Sequence, residues 1–167
     1  VTLLWIPGYR ALPRPAQAVL EVVAPLRSAN PYGLFAVMTT DRIEIVFEGR
    51  WAEGGAWREL DLRYKPGPVD RVPAQIAPHM PRIDWQLWFA ALGTCRQNPW
   101  VQWLMQRTVD GSPAMDGVFV AGTFDDGPPV ELRALAYRYT FSEPGAAAVW
   151  DRELLGAYCP GTVHQKP

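Results

Sequence analysis

Apolar and polar side chains alternate in several short segments of the chain, which is the period of a half-buried β-strand. In Ile43–Phe47, one face carries Ile43, Ile45 and Phe47. The Glu53-Gly54-Gly55 sequence that follows is typical of a hairpin loop. Strands that pair antiparallel are therefore predicted at four places: Leu34–Thr39, Ile43–Phe47, Trp57–Tyr64 and Val130–Ser142.

A helical period replaces the strand period in the middle of the chain. Asp84 can cap a helix, and the apolar residues after it recur at the spacing of one helical face. A second helix is predicted from Asn98-Pro99 to Gly111. The two helices form a predicted hairpin with four tryptophans facing the core: Trp85, Trp88, Trp100 and Trp103. Shorter helices are predicted at Ala16–Val23, Ser112–Val120 and Ala146–Leu155.

The order of these elements predicts an α+β fold, in which a helical hairpin is inserted into an antiparallel β-sheet or sandwich and packs on one side. Residues 1–31 contain five prolines and one short helical run, so we expect them to wrap over a body formed by residues 32–167. Together they make one domain. Because the sequence begins at Val1, with neither Met nor a signal pattern, we expect it to be part of a longer protein.

The composition narrows the class of protein. The 167 residues carry 16 Lys plus Arg and 17 Asp plus Glu, and 49% of the residues are apolar. This excludes an intrinsically disordered chain, and the net charge of -1 offers no electrostatic footprint for nucleic acid. The longest apolar stretch, Leu87–Leu92, is far shorter than the roughly 20 residues of a membrane-spanning helix.

Familiar catalytic motifs are missing from the sequence. Two histidines and two cysteines form no zinc-binding pattern, so neither a metal nor a cofactor is predicted. Cys95 and Cys159 permit one disulfide, but two small, half-buried thiols are the favoured interpretation. His79, Arg82 and Asp84 form a dense polar cluster that could support acid–base chemistry. We favour a structural role, with Asp84 as a helix cap.

Tryptophans mark two candidate surfaces. Trp85 and Trp88 follow the polar cluster and extend it into a candidate functional or structural group, with no residue assigned as catalytic. Trp51 and Trp57 flank the predicted hairpin loop and could stack on a glycan or a lipid. Burial of these rings against the sheet is the favoured alternative.

The run Pro78–Leu92 resembles the P-H-Q-P-R-L-D-W-Q-M-W-F-A-A-L stretch of the lipase maturation factor family. Met80, Ile83 and Leu87 replace Gln, Leu and Met of that pattern. Further segments match the family in the same order: Asn30–Phe35, Arg42–Ile45, Tyr64–Gly67, Asn98–Trp100 and Tyr137–Ser142. The high Arg content with few Lys suggests a bacterial member.

The resemblance implies the soluble C-terminal domain of a multi-pass membrane protein, whose animal relatives lie in the endoplasmic reticulum and assist the folding of secreted lipases. We therefore expect a non-enzymatic domain that binds a client protein on the non-cytoplasmic side of a membrane, attached to upstream transmembrane helices. Two alternatives remain open. One is a glycan- or lipid-binding β-sandwich module that uses Trp51 and Trp57, and the other is an enzyme that uses His79, Arg82 and Asp84.

Overall fold

The computed structural model describes residues 12–23, 41–72, 74–76 and 79–163. The chain divides into two structural units, Val1–Thr40 and Asp41–Pro167. In the first unit, helix α1 (Arg14–Val23) confirms the helix predicted there, and Pro15 lies in its first turn, where a missing N–H costs nothing. The predicted strand Leu34–Thr39 and the predicted boundary after residue 31 lie outside the described residues.

The second unit contains a four-stranded antiparallel sheet. Its strands are β1 (Arg42–Arg50), β2 (Arg58–Leu60), β3 (Glu131–Phe141) and β4 (Trp150–Val163), in the order β2-β1-β3-β4. The loop between β1 and β2 turns at Gly54, whose φ of 68° favours glycine. These strands and the helices below confirm the α+β class, whereas the second sheet of a sandwich is not seen among the described residues.

Strand β4 corrects the prediction of a helix at Ala146–Leu155. The segment is rich in residues that favour helices, but Trp150–Val163 pairs with β3 along its whole length. From Trp150 onward, alternate side chains also have the strand period, with Trp150 and Arg152 on one face. Pairing with a long neighbouring strand outweighs local helix propensity, which amounts to less than about 1 kcal/mol per residue.

Helices α2 (Arg82–Ala90) and α3 (Trp100–Val109) follow β2 and pack on one face of the sheet. Short 3₁₀ turns lie at Cys95–Gln97 and Pro113–Gly117. The core between helices and sheet contains Ile45, Phe47, Leu87, Val101, Met105 and Phe119. No helix among the described residues is long and apolar enough to cross a membrane.

The tryptophans of α2 and α3 correct a second prediction. Trp85 is 42% exposed and Trp103 is 72% exposed, while Trp88 and Trp100 are half-buried. Smaller side chains take the inward positions instead: Leu87 and Ala90 on α2, and Val101, Leu104 and Met105 on α3. The face of each helix that packs against the sheet therefore carries aliphatic side chains, and the indole rings lie toward the flanks or in solvent.

The two cysteines correct a third prediction, since the favoured interpretation was a pair of free thiols. Cys95 and Cys159 form a disulfide that joins the 3₁₀ turn after α2 to strand β4. Both residues are buried, and Cys159 lies opposite Ala134 of β3. The bridge fixes the far half of the edge strand β4 to the helical layer.

Candidate functional site

A cleft of about 430 Å³ opens at the end of the sheet where β1 begins, β3 ends and β4 begins. The loop after β2, the segment before α2 and α2 itself form its other walls. The lining residues are Arg42, Glu44, Tyr64, Lys65, Pro66, Ala74, Ile76, Met80, Trp88, Phe141 and Trp150. Apolar and aromatic side chains therefore surround a small group of charges.

A buried ion pair forms the charged part of the cleft. Lys65 Nζ lies 2.7 Å from Glu44 Oε2, and their side chains are only 1% and 0% exposed. Arg42 Nε lies 2.8 Å from the other carboxylate oxygen, so Glu44 is held between two cations. Burying such charges is costly unless they are paired, because each loses its hydration. The pairing therefore accounts for their presence inside the fold.

The sequence places Glu44 at this position through the strand period. Glu44 lies between Ile43 and Ile45, which face the helical layer, so its side chain leaves on the opposite face of β1. The register of β1 and β3 puts Glu44 opposite Tyr137. A carboxylate on this second, partly covered face needs a cation from another part of the chain.

The loop that carries Lys65 is held by its neighbours. Tyr139 Oη donates to the Gly67 carbonyl at 2.9 Å, and Arg71 Nη2 donates to the Lys65 carbonyl at 3.1 Å. Asp84 Oδ1 accepts from the Tyr64 N–H at 3.3 Å. A Cβ at Gly67 would overlap the Arg71 guanidinium, so a larger residue there would require Arg71 to shift away from the position in which it donates to Lys65. These contacts hold the Tyr64-Lys65-Pro66-Gly67 loop in the position from which Lys65 reaches Glu44.

Aromatic rings form the wall at the start of β4. Trp150 stacks on Phe141 with ring centroids 4.5 Å apart and meets Tyr139 edge-on at 5.9 Å. The Arg42 guanidinium lies 5.9 Å from the centre of the Trp150 ring. The Trp150 indole nitrogen is buried and has no hydrogen-bond acceptor among the described residues.

The structure brings only part of the predicted cluster to this cleft. Trp88 lines it, whereas the side chains of His79, Arg82 and Trp85 are exposed. Asp84 is buried at 3% exposure and makes no side-chain cap, because α2 already begins at Arg82. Asp84 instead joins α2 to the loop of Lys65. A functional role for the cluster stays a prediction.

Trp51 and Trp57 lie beyond the other end of β1, and both are half-buried. The Trp51 indole donates to the Gly127 carbonyl at 2.7 Å, and the Arg58 guanidinium lies 3.8 Å from the centre of its ring. Trp57 lies within 5.0 Å of Arg50 and 4.2 Å of Arg133. A binding role for these two rings also stays a prediction.

Sequence reasoning missed Arg42, Glu44, Lys65 and Trp150. Two signals were present: Glu44 interrupts the otherwise apolar run Ile43–Phe47, and Lys65 is one of only two lysines in the chain. Neither signal shows that Glu44 and Lys65 pair with each other.

The described residues contain no group of three or more His, Cys, Asp or Glu side chains that could hold a metal ion.

The electrostatics of Asp84 yield a testable prediction. Burial raises the pKa of this carboxyl above its ordinary 3.8, against the opposing effects of the Tyr64 N–H and Lys65. Because the folded chain holds the Asp84 proton more tightly than the unfolded chain does, Asp84 contributes to the free energy of unfolding. This contribution is fully present below about pH 4 and is lost as the pH rises through the folded-state pKa. Asp84→Asn keeps an acceptor for the Tyr64 N–H but cannot ionise. We expect the free energy of unfolding of Asp84→Asn to increase relative to that of the natural chain as the pH rises.

Urea unfolding at several pH values measures this difference. Asp151→Asn, which removes a carboxylate from the exposed surface of β4, is the matched control against which the change with pH is compared. A pH-independent difference for Asp84→Asn would contradict the prediction.

Comparison with known proteins identifies the family. The sequence profile of the lipase maturation factor C-terminal domain matches residues 28–160. The chain belongs to the lipase maturation factor family. The cleft, the buried ion pair and the disulfide all lie within the matched residues.

Several family relatives are similar over most of the chain. Lipase maturation factor 2 of Mus musculus is 42% identical over 141 residues, which is 81% of this chain and 20% of the relative. The Homo sapiens protein of the same name is 39% identical over 143 residues, or 82% of this chain and 20% of the relative. Lipase maturation factor 1 of Bos taurus is 33% identical over 176 residues, or 99% of this chain and 31% of the relative.

The chain therefore spans only about a fifth to a third of the length of these relatives. All three relatives are vertebrate proteins and give no support to the predicted bacterial origin. No solved structure matches the chain.

Proposed function

We propose that this chain is a client-binding domain that assists the maturation of secreted lipases by binding them and not by catalysis. The observation that carries the proposal is membership of the lipase maturation factor family over residues 28–160. The relatives are named for lipase maturation, and the chain corresponds to their C-terminal domain. The client in this proposal is a secreted lipase during its folding or assembly.

The proposed location is the non-cytoplasmic side of a membrane, with the domain attached to transmembrane helices elsewhere in the same protein. The Cys95–Cys159 disulfide supports this location, because disulfides persist in oxidising compartments and are rare in the reducing cytosol. An oxidising compartment is also where a secreted lipase would meet a folding factor.

The proposed client contact is an aromatic ridge formed by Trp85 and Phe89 on α2 and by Leu92 in the turn that follows the helix. These side chains are 42%, 41% and 52% exposed, although they are large and apolar. The spacing of four residues puts Trp85 and Phe89 on one face of the helix, and their rings lie 4.7 Å apart. Exposed apolar surface of this kind marks sites that bind other proteins. A partly folded client offers the apolar segments that would cover it.

Substitution of the ridge tests the proposal. We expect Trp85→Ser with Phe89→Ser, in the full-length protein co-expressed with a secreted lipase, to lower secreted lipase activity several-fold, since large aromatic rings dominate protein interfaces. Because both rings are exposed, the abundance of the variant should stay normal. The measurement is lipase activity in the medium per amount of lipase made.

Trp103→Ser is the matched control, since Trp103 is 72% exposed on α3 and lies outside the ridge. It should leave lipase activity unchanged. An equal loss of secreted lipase activity in the ridge variant and in Trp103→Ser would show that the ridge is not the client contact. Unchanged lipase activity after deletion of the whole domain would remove the lipase assignment itself.

A further inference from the structure

The cleft at the Arg42 end of the sheet has the size and the lining of a site for a small molecule. Its volume of about 430 Å³ falls within the range of roughly 300–1,000 Å³ typical of ligand pockets. Most of the lining is apolar or aromatic, and Trp88, Phe141 and Trp150 supply large flat surfaces. Such walls favour the apolar part of a ligand, because burying it removes apolar surface from water.

The charged side chains of the lining differ in how fully they are paired. Glu44 and Lys65 pair with each other and are buried, and Arg42 contacts Glu44 only through Nε. The two terminal nitrogens of Arg42 have no ion-pair partner among the described residues, and the side chain is 41% exposed. The lining therefore carries two cations and one anion. Within the part of the chain that the structure describes, the end of the Arg42 guanidinium has no ion-pair partner and is available to an anion. A guanidinium fork matches the two oxygens of a carboxylate.

These features discriminate among classes of ligand. A glycan needs many hydrogen-bonding partners for its hydroxyl groups, but most polar groups of the lining already serve one another. A phosphate or another multiply charged anion would meet one free guanidinium beside the buried Glu44 carboxylate. A single carboxylate attached to an apolar chain satisfies both the free guanidinium and the aromatic walls.

We propose that the cleft binds the carboxylate form of a long-chain fatty acid, with the carboxylate on the terminal nitrogens of Arg42 and the acyl chain against Trp88, Phe141 and Trp150. No residue of the aromatic ridge lines the cleft, although the Trp88 ring of the cleft lies 5.4 Å from the Phe89 ring of the ridge. The two sites are tested by different readouts, which are probe binding for the cleft and secreted lipase activity for the ridge.

Quenching of tryptophan fluorescence by a dibrominated stearate tests the proposal, because bromine quenches an indole that it touches. The 167-residue chain is titrated below the micelle concentration of the probe. We expect saturable quenching, with the quenched fraction reduced by Trp88→Phe and unchanged by Trp51→Phe, since Trp51 lies outside the cleft. An unchanged quenched fraction in Trp88→Phe would place the ligand elsewhere and overturn the proposal, as would the absence of saturable quenching.

The role of Arg42 is tested in the same titration. Arg42→Met should weaken binding of the acid about tenfold or more, as expected for a lost charge-assisted hydrogen bond. Arg138→Met is the matched control, because Arg138 is also 41% exposed and lies on the opposite face of the sheet. It should bind as the natural chain does. Equal binding by Arg42→Met and the natural chain would overturn the assignment of the carboxylate to Arg42.

The methyl ester of the same brominated acid provides a test that needs no variant, should Arg42→Met fail to fold. The ester has the same acyl chain without the negative charge, and we expect it to bind about tenfold more weakly or worse. Equal binding of ester and acid would show that the anion is not recognised. Displacement of the probe by an apolar peptide with a free C-terminal carboxylate, but not by unlabelled oleate, would assign the cleft to a peptide and overturn the fatty-acid proposal.

Discussion

Lys65→Met is expected to lower the free energy of unfolding by about 3 kcal/mol, because it leaves the Glu44 carboxylate buried with one of its two cations removed. Methionine keeps most of the length of the lysine side chain, so loss of charge rather than loss of volume dominates. Arg42 remains 2.8 Å from Glu44, which places the expected cost at the lower end for a broken buried pair. Urea unfolding of the natural and variant chains measures the difference.

Two further variants isolate the charge effect. Lys65→Met combined with Glu44→Leu removes both charges of the pair, and it should recover most of the lost stability. Arg138→Met removes a cation that bridges Asp41 and Glu153 on the exposed surface, and it should cost less than about 1 kcal/mol. Failure of the double variant to regain stability would mean that the Lys65 stem, and not its charge, supports the fold.

Loss of the Cys95–Cys159 disulfide is expected to cost about 4 kcal/mol. The bridge closes a loop across a sequence separation of 64 residues, and this restricts the unfolded chain far more than a short loop would. Alanine at both positions avoids burying unpaired thiols at sites that are 8% and 2% exposed. The expected readout is a lower urea midpoint and a larger slope of the free energy of unfolding against urea, because the unfolded chain without the bridge is less compact and exposes more surface.

A reducing agent provides the control for this prediction. It should destabilise the natural chain by a similar amount and leave the double alanine variant unchanged. Hydrogen exchange should also show faster opening in the second half of β4, which the bridge ties to the helical layer. A double variant as stable as the natural chain would contradict the prediction.

Much of the sheet was predictable because its period is local. Ile43–Phe47 and Val130–Ser142 alternate clearly, and the structure forms β1 and β3 there. The helix at Ala146–Leu155 was predicted wrongly because alanine-rich segments favour helices in isolation. Only the neighbouring strand β3, whose backbone groups need partners, draws this segment into the sheet.

The candidate site was harder to predict than the fold. Glu44 and Lys65 belong to different segments, and nothing in either segment shows that they meet. Asp84 was interpreted as a helix cap, but α2 begins two residues earlier and the carboxylate accepts from the Tyr64 N–H instead. The tryptophans were placed in the core by their helical spacing. Spacing shows that side chains share a face, but it does not show which face of the helix packs against the sheet.

The sequence by itself determined the family, the α+β class and the strands with clear alternation, since these follow from local motifs and periods and from their order along the chain. The tertiary structure decided the pairing of Lys65 with Glu44, the Cys95–Cys159 bridge, the strand β4 and the exposure of the aromatic ridge. Each of these depends on which distant segment comes to lie alongside. Which distant segments meet is decided by the burial and pairing of groups across the whole fold, and a pattern within one segment does not contain this information.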